Sequence, residues 1–209
     1  MLLSNRRRHS VEVLPYDSEI EYLESRANTY INTGINAAND IGIEIHYYDN
    51  YTYGNCSNYI VGARQTNSST ILYSISGSTS NNSVLVTYNG STKLMGHTRT
   101  KGEDYKAQLQ ATSSGMVYSM TINNGTPITG TLSGTDLGTT NVPICMFGFN
   151  ASNIKSYTRL YYLKIRKGGD LVRDFIPVRV GNVGALYDKV SKQIFYNSGS
   201  GTFVLGQDK

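Results

Sequence analysis

Tyr47, Tyr48, Tyr51, Tyr53 and Tyr59 fall within thirteen residues, interleaved with Asp49, Asn50, Asn55 and Asn58. An exposed tyrosine ring gives the apolar face of a sugar a flat platform, while its hydroxyl and neighbouring amides hydrogen-bond the sugar hydroxyls. The same residue types also make adhesive protein contacts or fill the margin of a core. Tyr48, Tyr51, Tyr53, Asn55 and Tyr59 are the candidate ligand contacts. The segment from Asp49 to Asn58 carries too many polar groups to be buried without leaving some unpaired, so it is expected at the surface.

Acid–base and metal chemistry find less support. Glu19 and Glu21 share a face at strand spacing but stand at the beginning of the first extended segment, where a solvated pair on an edge is the simpler reading. Glu44 stands alone. There is no Gly-x-Ser-x-Gly elbow, and His9, His46 and His97 have no metal-binding spacing. His46 reads as a solvated residue on a polar strand face. Asp40, Asp49 and Asp136 lie in or near loops without forming an oxygen-ligand cluster. No catalytic residue, metal or cofactor is expected. Cys56 sits in a polar loop and Cys145 in an apolar run, which leaves open either a disulfide or two free thiols.

The elements that must position these residues are strands. Asn, Ser, Thr and Gly make up 82 of 209 residues and charged residues only 16%, a balance that favours turns and polar strand faces over helices. Short runs separated by turn signals recur along the chain, which is the rhythm of a sandwich or barrel. Ile41, Ile43, Ile45 and Tyr47 alternate with Glu44 and His46, giving one core face and one wet face. Asn89-Gly90, Asn124-Gly125 and Gly168-Gly169 mark hairpin turns, and a further hairpin closes between Tyr187 and Ile194. Residues 49 to 58, 96 to 104 and 130 to 141 read as the longest loops. Residues 1 to 17 read as a basic arm ahead of one domain spanning 18 to 209.

Leu-Val-Arg-Asp-Phe-Ile-Pro at 171 to 177, Leu-Tyr-Asp at 186 to 188 and Phe-Tyr-Asn-Ser-Gly-Ser-Gly-Thr-Phe at 195 to 203 resemble the closing strands of a concanavalin A-like (laminin G-like) jelly-roll domain. The form is the one found in phage and prophage structural proteins and in surface proteins of gut bacteria. Glu21-Tyr22-Leu23-Glu24-Ser25 and Tyr30-Ile31-Asn32-Thr33-Gly34-Ile35 are similar to its opening strands. The resemblance implies an all-β, two-sheet antiparallel jelly-roll sandwich whose opening and closing strands lie close together. The hydrolase branch of that fold carries Glu-x-Asp-x-x-Glu or Glu-x-Asp-x-Glu on one strand, and this chain has neither.

The net charge is +4, and Arg6, Arg7 and Arg8 of the arm supply much of it. The arm is expected to make assembly contacts with an acidic surface elsewhere. Arg64, Lys93, Arg99 and Lys101 are too scattered for a nucleic-acid stripe. The first nine residues lack the apolar stretch of a signal peptide, and no later run is long enough to span a membrane. The expectation is a non-enzymatic phage virion structural protein, made in the host cytoplasm. It would be exposed on the particle as a capsid decoration, head fibre or tail component. Expected partners are other virion proteins, a host-surface glycan and further copies of the chain, with no nucleic acid and no membrane. The alternatives are a carbohydrate-binding module of a bacterial surface or secreted protein and a degenerate glycoside hydrolase.

Overall fold

The computed structural model describes residues 13–50, 58–65, 70–77, 83–149 and 156–209. These form seventeen strands and no helix: β1 (Ser18–Glu19), β2 (Leu23–Glu24), β3 (Ile31–Ala38), β4 (Ile41–Asp49), β5 (Asn58–Arg64), β6 (Ile71–Gly77), β7 (Ser83–Tyr88), β8 (Ser91–Thr98), β9 (Glu103–Thr112), β10 (Gly115–Ile122), β11 (Ile128–Ser133), β12 (Thr139–Met146), β13 (Thr158–Lys167), β14 (Asp170–Val180), β15 (Val183–Asp188), β16 (Gln193–Phe195) and β17 (Val204–Leu205). They build two antiparallel sheets. The large sheet runs β11-β10-β9-β4-β13-β14-β15-β16, with β2 beside β13, β17 beside β2 and β1 beside β14; the small sheet runs β3-β12-β5-β6-β7-β8.

The sheets are held face to face by the alternation visible in the chain. Ile41, Ile43, Ile45 and Tyr47 of β4 point inward and are buried, as do Tyr105, Ala107, Leu109 and Ala111 of β9 beside them. They meet Ile60, Val61, Tyr73, Ile75, Val84 and Val86 of the small sheet in one continuous core. Within it the rings of Tyr47 and Tyr105 stack with centroids 4.9 Å apart. Burial pushes both phenols well above their ordinary pKa, and the carboxylates of Asp49 and Glu103 push the same way.

The two chain ends lie together. Val204 and Leu205 of β17 pair with Glu24 and Leu23 of β2, the backbone of Ser198 donates to Tyr30 and that of Gly201 donates to Asn28. Tyr16 and Asp17, assigned to the arm by sequence, dock on the large sheet: Tyr16 packs 4.9 Å from the ring of Tyr187, and the backbone N–H of Asp17 donates to Arg179. Arg6, Arg7 and Arg8 lie outside the described residues.

Gly168-Gly169 and Asn89-Gly90 form the expected tight turns, each with positive φ at both positions. The turn after β10 is displaced by one residue. Asn123 and Asn124 carry the positive φ values, 48° and 58°, and Gly125 only closes the turn by donating to Ile122. The loops expected at 96–104 and 130–141 are shorter than the sequence suggests, because β8 extends to Thr98, β9 begins at Glu103, β11 reaches Ser133 and β12 begins at Thr139. The physical reason is that β8 and β11 are edge strands exposed on most of their length. Met95 and Leu132 are their only buried apolar residues, so alternation hardly shows. β3 runs to Ala38 and β12 stops at Met146.

The end of the sandwich near β4 is closed by a buried ion pair. Arg99, in the connection between β8 and β9, donates from Nε (2.8 Å) and Nη2 (2.5 Å) to Asp49 at the end of β4, and both side chains are nearly inaccessible. Asn58 of the small sheet donates to the other Asp49 oxygen at 3.3 Å. The guanidinium lies where a Cβ on Gly77 of β6 would stand, so the small sheet needs glycine there to admit it. Removing one partner of a buried pair leaves an uncompensated charge and costs about 3–5 kcal/mol. Arg99→Ala is therefore expected to lower unfolding stability by about that amount in urea titrations. Gly77→Ala should be destabilising through the same contact, and the double variant should cost far less than the sum; additive losses would show that Gly77 does not act by admitting Arg99.

Candidate functional site

On the outer face of the large sheet, β4 presents Glu44, His46 and Tyr48, the part-exposed residues between its buried positions, with Gly42 buried on the same face. β13 runs antiparallel beside it, and the ladder slips once: Leu160 lies opposite Tyr47, Tyr162 lies opposite His46, and Tyr161 is the extra residue between them. A β-bulge of this kind puts two residues of one strand against one of its neighbour and re-aims a side chain. Two consecutive tyrosines thus reach the same wet face, around the ring of His46 at centroid distances of 4.4 Å (Tyr161) and 5.7 Å (Tyr162).

Charged groups pin this aromatic cluster from each side. His46 Nε2 lies 2.9 Å from both carboxylate oxygens of Asp104 on β9. Lys164 of β13 pairs with Glu44 at 3.4 Å and reaches over the Tyr162 ring. Burial, with the Glu44 carboxylate close by, pushes the Tyr162 hydroxyl up to about 12, so it stays protonated and serves as a donor. Beyond the bulge the guanidinium of Arg159 lies 4.4 Å from the centre of the Tyr22 ring and 5.3 Å from that of Tyr48. It is held from below by Glu24, a buried carboxylate that accepts from Arg159 Nε at 2.6 Å, pairs with Arg26 at 2.6 Å and accepts from Asn50. That strong hydrogen bond raises the Arg159 pKa further, so its charge is permanent.

Three clefts open on this face. The first, about 600 Å³, is lined by Glu21, Tyr22, His46, Arg159, Tyr161, Tyr162 and Lys209. The second, about 330 Å³, continues from Tyr162 over Glu44, Lys106, Gln108, Ser119 and Thr121. The third, about 500 Å³, shares Glu44, Gln108 and Ser119 with the second and ends among Gln110, Val117, Thr129 and Arg166.

Of the residues expected to touch ligand, Tyr48 belongs to this cluster through Arg159. Tyr59 does not: it sits on the small sheet, half-buried, its ring 4.1 Å from that of Phe149. Tyr51, Tyr53 and Asn55 lie outside the described residues. The expectation that the whole segment from Asp49 to Asn58 is exposed is corrected at both ends, since Asp49 and Asn58 are buried and satisfy each other with Arg99 and Thr158. His46, expected to be merely solvated, is packed between rings and paired, and Glu44, expected alone, is paired with Lys164. Arg99, counted among scattered surface cations, is buried.

Tyr161 and Tyr162 were not singled out by sequence reasoning. Their signal is the spacing of buried neighbours. Thr158 and Leu160 face the core and so do Leu163 and Ile165, and such a change of parity requires one extra residue in the strand. No group of three or more His, Cys, Asp or Glu residues able to hold a metal occurs among the described residues. Cys145 carries a free thiol that burial pushes up to about 12, which leaves it unreactive.

No protein-family model matches the chain, and no curated protein matches it. Among solved structures it is similar to a native heptameric SAP-like pentraxin from Limulus polyphemus, with a TM-score of 0.52 at 12% identity over 92% of this chain and 98% of that one. It is also similar to a mutant of Trypanosoma rangeli sialidase displaying trans-sialidase activity (TM-score 0.43, 12% identity, 61% of this chain and 21% of that one). A third likeness is to full-length tailspike protein 2 from Escherichia coli O157:H7 bacteriophage CAB120 (TM-score 0.47, 8% identity, 76% of this chain and 27% of that one). The chain thus spans about a fifth of the sialidase and about a quarter of the tailspike. The pentraxin likeness covers nearly the whole of both chains and supports the two-sheet jelly-roll sandwich; identity this low speaks to fold alone.

The support under the cluster is open to direct test. Glu24→Gln removes a buried charge that two arginines depend on and is expected to cost about 3 kcal/mol in denaturant unfolding. Tyr161→Ala, at a half-exposed ring, is expected to stay within about 1 kcal/mol of the parent. Equal losses for the two would mean that the Tyr161 ring is part of the core.

Proposed function

We propose that this chain is a non-enzymatic binding module that holds carbohydrate on the outer face of its large sheet. The observation that carries the reading is the bulge at Tyr161, which sets two tyrosine rings around His46 beside the Arg159 and Tyr22 stack, at the mouth of an open cleft. Aromatic faces bordered by fixed hydrogen-bonding groups are what a pyranose requires, since each ring of the sugar has one apolar face and a rim of hydroxyls. Of the carboxylates at these clefts, Glu44 and Asp104 are each engaged by a neighbouring side chain and Glu21 makes no side-chain pair among the described residues, so no two free carboxylates face one cleft, which supports a binding role over acid–base work.

The module's setting is read from the sequence. The closing strands resemble those of phage and prophage structural proteins, and the argininyl arm suits docking to an acidic surface on a particle. The proposed role is therefore an exposed virion component that meets a glycan on the host.

Deleting Tyr161 removes the bulge and lets β13 pair with β4 without a slip, so the fold should survive while the platform is lost. Retention of the deletion variant and of Tyr161→Ala on a glycan array is expected to fall at least about tenfold, a loss of about 1.4 kcal/mol of binding. Array binding that is unaffected by either change would end the reading for this face. Mass spectrometry of purified particles tests the setting, and absence of the chain from them with array binding intact would transfer the module to a bacterial surface.

A further inference from the structure

The three clefts are one trough, and we infer that its occupant is an unbranched polysaccharide chain gripped along its interior, not a terminal sugar. The inference rests on the carbohydrate reading above and adds the form of the ligand. Tyr162 is a wall of both the first and second clefts, and Glu44, Gln108 and Ser119 are walls of both the second and third. From Arg159 to Arg166 along β13 the trough runs on the order of 20 Å at about 3.3 Å per residue. A single pyranose occupies a small part of that length.

The lining changes character along the trough in a way that suits a repeating chain. At the near end, Tyr22 and Tyr161 offer aromatic faces. In the middle, Tyr162 faces the hydroxyls and amide of Ser119, Thr121 and Gln108. At the far end Val117, half exposed, supplies an apolar patch beside Thr129 and Gln110. Gly42 keeps the floor low there, since a Cβ at that position would stand 2.7 Å from the Gln110 amide oxygen.

Among the described residues the side chains of Gln108, Ser119, Thr121 and Thr129 make no hydrogen bond, so their donors and acceptors are committed only to solvent. Thr121 stands at one level along the trough, opposite Lys106, and Gln108, Ser119 and Thr129 stand side by side at the next, since Gln108 lies opposite Ser119 and Ser119 opposite Thr129. Uncommitted polar groups at two successive levels beyond the aromatic end have no use for a one-residue ligand. They are what successive sugar units need, each placing hydroxyls on the sheet.

The test uses the full chain and titrates it by calorimetry with mono- to hexasaccharide ladders from cellulose, laminarin, chitin and polygalacturonate. For a ladder that binds, affinity is expected to rise at least about tenfold from disaccharide to hexasaccharide and then level off. Gln108→Ala combined with Thr129→Ala should remove most of that gain, whereas Tyr161→Ala should weaken every length. A monosaccharide that reaches full affinity, or a Gln108→Ala, Thr129→Ala double variant that keeps the whole length dependence, would overturn the inference and leave the carbohydrate reading standing. Retention of no ladder here and of no glycan on the array would overturn both.

Discussion

The buried contact between Arg99 and Asp49 is the constraint on which this end of the molecule depends. A sandwich is held along its length by apolar alternation, but at its ends the strands leave the core and their polar groups must find partners. Here one guanidinium reaches from the β8–β9 connection to the last residue of β4, and Asn58, the first residue of β5, donates to the same carboxylate. Asp49 thereby ties the large sheet to the small one. Its backbone carbonyl also accepts from Gly102, which brings the chain back into β9. A buried pair is seldom the cheapest way to fill space, and apolar residues of similar volume would often be as stable. What the pair supplies is direction, since a guanidinium bound to one carboxylate through two nitrogens admits few geometries.

That fixed end gives the candidate site its footing. Tyr48 and His46 precede Asp49 on β4, Glu103 and Asp104 open β9, and Thr158 and Arg159 open β13, so these groups of the aromatic cluster issue from strands aligned by the same closure, while Glu24 comes from β2. Glu103 belongs to it from the inner side. Burial drives its carboxyl up, but hydrogen bonds from the Tyr105 hydroxyl, the Thr100 N–H and His97 outweigh burial and hold it below the ordinary carboxylate range. The two faces of β9 thus carry adjacent carboxylates with opposite duties: Glu103 braces the interior beside Tyr105, and Asp104 orients His46 in the cleft.

Much of the architecture could be read from the chain because strong local rules agreed with it. The alternation of β4, the glycine pair at 168–169 and the wording of the two chain ends all pointed to one sandwich, and each has a counterpart in the structure. The site was less legible. Tyrosine density drew attention to residues 47–59, but Tyr59 departs to the other sheet and the two rings that define the cleft come from a doublet at 161–162, more than a hundred residues away. Density is a local property, whereas a sheet face is assembled from strands remote in sequence. Glu24 shows the same limit: nothing in Leu23-Glu24-Ser25 marks it as buried, because its partner Arg159 lies 135 positions away. The doublet itself was readable only through its neighbours' parity, which demands that the direction of the flanking leucines be known.

The charges on the outer face bear on how the site could choose a ligand. Lys164 is answered by Glu44 and Arg159 by Glu24, whereas Glu21, Lys106, Arg166 and Lys209 border the clefts without an ion pair among the described residues. The long-range attraction of such exposed charges is screened beyond about 8–10 Å at physiological salt. On the proposed reading, selection comes from short-range fit: stacking on rings whose tilt is set by the bulge, and hydrogen bonds to amides and hydroxyls spaced by the strand register. Such a surface gains per-unit affinity slowly and discriminates by geometry, a combination suited to a module that meets a repetitive surface with many contacts, each individually weak.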